Sequence, residues 1–168
     1  MLVQAGCGSV GERVGDREVL TQIYEVSTTD EARSLCRIGI DHIGVLVGKG
    51  ELPREQTFEI GATIAGVVHL PSKLSALFLT ADIPLIEEWA KKLQPAIPHL
   101  GAAPELVNPD DVAVLKRTLP GILLMRSIPV IDQSSIALAR RYEGIADFLL
   151  LDSHREIRPP DRGARHHS

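Results

Sequence analysis

Asp147-Phe148-Leu149-Leu150-Leu151-Asp152-Ser153 is the sixth and last of a series of short apolar runs, and its place in that series decides the fold. Working back from it, the earlier runs are Ile122–Ile128, Ala96–Leu100, Leu74–Thr80, His42–Val47 and Gln22–Val26. Between each pair lies a turn and a stretch of helical period. The runs are continuously apolar, as strands are when helices or other layers cover both of their faces. The unit repeats about every 25 residues, which suits a closed β/α barrel better than an open doubly wound sheet.

The pattern therefore predicts an α/β chain: an incomplete (β/α)8 TIM barrel of about six βα units, with parallel strands in sequential order. Thr28-Thr29-Asp30-Glu31 opens the first helix with a capping side chain and acids in its first turn, and Gly39 closes it. Leu52-Pro53-Arg54-Glu55-Gln56 is expected to start the second helix, with Pro53 in its first turn. Ile83–Leu93, a segment opened by Pro109-Asp110-Asp111, and Ser134–Tyr142 supply the next three. Ala96–Leu100 reads as the fourth strand, although Pro98 removes one of its ladder donors.

A closed barrel needs two further units, and 15 residues follow Ser153. Residues 154–168 hold four arginines, three histidines and two prolines, with Ile157 the one sizeable apolar side chain. Such a segment buries too little to order itself. The division expected is an extension over 1–20, a partial barrel over 21–153 and a disordered tail over 154–168. That reading implies a chain truncated after its sixth strand. Two absent strands would leave a gap of roughly 14 Å. The first and sixth strands would be unpaired edges with wetted apolar inner faces. Marginal stability, and self-association through those edges, are expected.

Composition narrows the partners. The chain has 168 residues, 44% apolar and only 4% aromatic, so its core must be aliphatic. A net charge of −4 argues against a nucleic-acid surface. No apolar stretch approaches the roughly 18 residues of a membrane span, and no signal pattern opens the chain. Cys7 and Cys36 lack disulfide or metal spacing, which points to a reduced, cytoplasmic protein. Gly6-Cys7-Gly8-Ser9-Val10-Gly11 has dinucleotide-loop spacing, and Glu25 ends the next strand. The stretch after it, Glu12–Glu18, is short, charged and broken by Gly15, so a nucleotide-binding open sheet is the lesser reading and no cofactor is expected.

Gln22-Ile23-Tyr24-Glu25-Val26-Ser27-Thr28-Thr29-Asp30-Glu31-Ala32 resembles the opening strand and helix of phosphoribosylanthranilate isomerases. Asp41–Val47 resembles their second strand, Ala96–Gly101 their fourth and Asp147–Ser153 their sixth. The resemblance implies an Amadori rearrangement in tryptophan biosynthesis, in which an acid opens a phosphorylated aminosugar and a base removes the proton from C2. It implies that Asp152 is the acid, with Leu150 and Leu151 as an apolar collar around it. Where the family has a cysteine base, this chain has Tyr24, with Glu25 beside it as an alternative acceptor. Arg126 falls at a basic position in the fifth strand, where it would meet a carboxylate, a phosphate or a neighbouring acid. His99 and Lys49 are the other candidate substrate contacts. A small phosphorylated sugar is the implied partner. A barrel relative that binds a phosphorylated or carboxylated ligand without this catalysis is the alternative. A metal held by His99, Asp152, His154 and Glu25 lacks supporting spacing, and His42 and His69 read as strand-start and loop residues.

Overall fold

A computed structural model describes residues 20–153 in full and Leu2–Gln4 by their backbone. The glycine-rich segment over 6–11 and the tail with His154 lie outside the described residues. The elements follow in order: β1 (Leu2–Gln4), β2 (Gln22–Ile23), α1 (Thr29–Ile38), β3 (His42–Leu46), α2 (Phe58–Ala65), β4 (Lys73–Phe78), α3 (Ile83–Leu93), β5 (Ile97–Leu100), α4 (Pro109–Thr118), β6 (Met125–Pro129), α5 (Ser134–Arg140) and β7 (Phe148–Asp152). They form one sheet of order β1-β7-β6-β5-β4-β3-β2. From β2 to β7 all pairings are parallel and sequential, the arrangement of a half-barrel.

Local chemistry sets the helix ends. Thr28 accepts the Glu31 N–H at 3.2 Å while the Glu31 carboxylate accepts the Thr28 and Ser27 N–H groups, a capping box. Gly39 ends α1 at φ +81°, and its N–H returns to the carbonyls of Leu35 and Cys36. Asn108 caps α4 in the same reciprocal way with Asp111. The outward faces of the strands pack on these helices. Ile43, Val45, Leu74, Ala76, Phe78, Leu100 and Ile128 join Ala32, Ile86, Leu115 and Tyr142 in one buried layer.

Three expectations are corrected. The second helix does not start at Leu52. Arg54 turns left-handed at φ +61°, and the Glu55 carboxylate accepts the N–H groups of Glu51 and Leu52. Gln56 bridges to Val47, so the chain stays bound to the sheet until Thr57 and α2 begins at Phe58. The strand read around Pro98 forms as expected: β5 pairs with β4 through it, and its pairing with β6 starts one residue later, at His99. Leu2–Gln4, placed in the extension, joins the sheet antiparallel to β7, so the edge at Phe148–Leu150 is paired. The inner face is also less wet than expected. Ile97 and Met125 are at most 1% exposed and Phe148 is 6% exposed, because the inner side chains of the neighbouring strands β5, β6 and β7 pack on one another.

Candidate active site

Alternation along the strands separates two faces. Residues next to those of the helix-packed layer point inward: Tyr24 on the extension of β2, Gly44 on β3, Ser75 on β4, Ile97 and His99 on β5, Met125 and Ser127 on β6, and Phe148, Leu150 and Asp152 on β7. Contacts across the curve support this set. The Tyr24 and His99 rings stand with centroids 5.6 Å apart, and the Tyr24 hydroxyl lies 3.8 Å from the Met125 sulfur. Tyr24 thus reaches from the first parallel strand to the fifth. Gly44 makes room for it, since a Cβ there would lie 3.0 Å from the Ile23 carbonyl oxygen and 3.1 Å from Tyr24 Cδ1.

His99 is 2% exposed, and its Nε2 lies 2.7 Å from the Ser127 hydroxyl. Burial, reinforced by the Arg126 charge and opposed by that of Asp152, takes its pKa down to about 3. The imidazole is therefore neutral near pH 7. Burial pushes the Tyr24 phenol up to about 12, and the Asp152 carboxylate adds to the effect. Asp152 acts electrostatically on both rings and is exposed at the C-terminal end of β7. These strand ends are where β/α barrels carry their chemistry. The apolar collar expected around Asp152 does not form. Leu151 alternates to the opposite face, where it is 40% exposed, and Leu150 is half-buried.

The remaining candidates lie elsewhere. Glu25 does not enter the inner face: it turns left-handed at φ +56°, is exposed, and its carboxylate sits 3.3 Å from Arg54 Nε. Lys49 is exposed on the loop after β3. Arg126 is corrected outright as a substrate contact. It alternates with Met125 and Ser127, is wholly buried on the helix side, and donates to the carbonyls of Leu100 at 2.6 Å and Val107 at 3.5 Å. Carbonyls, with no acid among these hydrogen-bond partners, surround it. His42 is buried on β3 and His69 is exposed in the loop after α2. Among the described residues no three His, Cys, Asp or Glu side chains gather as metal ligands.

Two rim features went unread in the sequence. Ser127 was legible through the two-residue period that makes Arg126 face outward. Arg54 was not, because nothing in the sequence around it signals that both guanidinium nitrogens on one side, Nε and an Nη, donate to the Glu25 carbonyl, at 3.2 and 2.7 Å.

Comparison places the fold and the sequence together. The chain is 32% identical over 130 residues to the N-(5′-phosphoribosyl)anthranilate isomerase of Methanocella arvoryzae, a match over 76% of this chain and 59% of that protein. The chain is thus similar in sequence to a phosphoribosylanthranilate isomerase. The Thermotoga maritima phosphoribosylanthranilate isomerase superposes with a TM-score of 0.65 at 18% identity, over 80% of this chain and 62% of its own. The Thermococcus kodakaraensis phosphoribosylanthranilate isomerase gives 0.61 at 19%, over 81% and 65%. These structural likenesses share the β/α barrel architecture, and the chain spans about three-fifths of the curated isomerase it matches. No family model matches the chain. Among the described residues no helix is long and apolar enough to cross a membrane.

Proposed function

We propose that the half-barrel rim is an isomerase-type site for N-(5′-phosphoribosyl)anthranilate, catalysing the aldose-to-ketose rearrangement of that aminosugar in the cytoplasm. The observation that supports it most is Asp152: an exposed carboxyl at the C-terminal end of β7, on the inner face with Tyr24 and His99. In this reading Asp152 in its acid form gives its proton to the furanose ring oxygen, and the C1–O bond breaks as the amine nitrogen forms an iminium. The C2 proton then leaves to a base, giving an enolamine that tautomerises to the ketone. Tyr24 at about pKa 12 stays a phenol near neutrality, so it orients and donates; it does not abstract. Glu25 is engaged by Arg54. The Asp152 carboxylate left by the first step is thus the base of the second. The half-exposed Arg54 and the exposed Lys49 supply the cations for the substrate's anionic groups.

The sequential strand order counts against the nucleotide-binding reading, since a doubly wound sheet reverses its order at a switch point. One observation favours ligand binding without turnover: Tyr24, in contact with His99 and Met125, fills the inner face where a base would act. A relative from Thermotoga maritima is described as a dimer, and a homodimer is part of the proposal here. Incubation with N-(5′-phosphoribosyl)anthranilate, followed by loss of its fluorescence, is the test. Turnover by the wild type, lowered at least a hundredfold in Asp152→Asn, is expected. No turnover with retained binding would leave the non-catalytic reading; turnover that survives Asp152→Asn would overturn the assignment of the acid.

A further inference from the structure

Arg126 is a cation with none of its surface exposed, and the hydrogen bonds it makes go to two backbone carbonyls, of Leu100 and Val107. Its guanidinium carbon stands 5.3 Å from the centroid of the Tyr142 ring, and the Tyr142 hydroxyl donates to the same Val107 carbonyl at 3.1 Å. Arg126 Nε is buried without a hydrogen-bond partner. Burying an ion this way is costly, and an apolar side chain of similar volume would pack the layer more cheaply. Leu100 leads into the connection from β5 to α4, residues 101–108, and Val107 lies near its end; this connection forms part of the rim next to His99. Arg126 and Leu100 are register partners on adjacent strands, so the charge lies one strand from the imidazole.

We infer that Arg126 is a positioning residue for the inner-face site: it fastens the β5–α4 connection from beneath and sets the electrostatics around His99. The charged and titratable groups acting on His99 are Arg126 from β6, Asp152 from β7 and Tyr24 from β2, with Ser127 as its hydrogen-bond partner. Arg126 is the one cation among them, and it opposes the pull of Asp152 toward an imidazolium. Burial is the larger cause and Arg126 reinforces it, so the rim keeps a neutral His99, able to accept from or donate to a ligand without adding charge.

The test is the titration of the His99 ring by NMR in the intact chain, with amide exchange of residues 101–108 measured alongside. In the wild type the ring stays neutral down to about pH 4. Arg126→Met raises its midpoint by at least one pH unit. Arg126→Lys keeps the charge and leaves the midpoint in place, but it cannot span both carbonyls, and exchange in 101–108 speeds up at least tenfold. If Arg126→Met does not fold, Arg126→Gln, which removes the charge and keeps one donor, is read the same way. An unmoved midpoint on loss of the charge overturns the electrostatic role, and unchanged exchange in Arg126→Lys overturns the fastening. The effect on catalysis rests on the isomerase reading: Arg126→Lys should lower kcat about tenfold with KM unchanged. The ring titration needs no turnover, so its failure is distinguishable from failure of that reading.

Discussion

Tyr24 and His99 hold their protons in opposite senses, and both set the stability of the chain against pH. His99 titrates near 6.5 when unfolded and near 3 when folded, so the unfolded chain binds more protons between those values. Its contribution is complete above about pH 6.5 and is lost as pH falls toward 3, at up to about 1.4 kcal/mol per unit. Tyr24 works at the other end. Its contribution is present below pH 10 and is lost as pH rises to about 12. Urea unfolding midpoints across pH should therefore drop on the acid side in wild type and drop less in His99→Gln. A Tyr24→Cys variant tests the base: it restores the residue type that the family resemblance implies at this position. We expect its turnover of N-(5′-phosphoribosyl)anthranilate to exceed that of wild type at least tenfold, at a cost of roughly 2–4 kcal/mol from lost packing. An unchanged rate would mean that Tyr24 is not what limits the C2 step.

The elements show why some of this was legible and some was not. Ile83–Leu93 was readable to the residue because Asp82, Pro84 and an apolar stripe agree. Thr28 and Gly39 bound α1 for the same reason. The loop from Gly48 to Gln56 defeated the reading, since Pro53 and two glutamates look like a helix start. What holds it is tertiary: the Val47–Gln56 bridge and the Glu55 carboxylate, which lies where a Cβ on Gly48 would need to be, at 1.8 Å. Likewise Arg126, a basic position in its strand, read as a substrate contact, because sequence shows the residue type and not the face. The β2–β3 pair carries its own prediction. Gly44→Ala puts a methyl against the β2 backbone and the Tyr24 ring, so it should cost about 1–3 kcal/mol. The Tyr24–His99 contact should loosen with it, visible as a change in near-UV circular dichroism.

At the level of the whole molecule the sheet has two unlike edges. The β7 edge is covered over Phe148–Leu150 by β1, while β2 forms the other end of the strand order. The series of apolar runs gave the strand order, but it could not reveal that Leu2–Gln4 would return to the last strand. A contact between the first and last strands of a sheet leaves no periodic trace. The pairing is testable by cross-linking. Val3→Cys with Leu149→Cys, in a Cys7→Ser background, places cysteines at Cα partners of the antiparallel register, a separation a disulfide can span. Oxidation should yield a faster-migrating monomer on non-reducing gels. A covalent dimer would instead show β1 exchanged between copies.

The direction of β1 has a practical consequence. Because it runs against β7, with Leu2 beside Leu150 and Gln4 beside Phe148, the polypeptide enters the sheet from the side on which Asp152 lies. Whatever is joined ahead of Leu2 begins next to the rim. A bulky purification handle fused there would obstruct ligand entry, whereas a small environment-sensitive dye would report occupancy of the site directly.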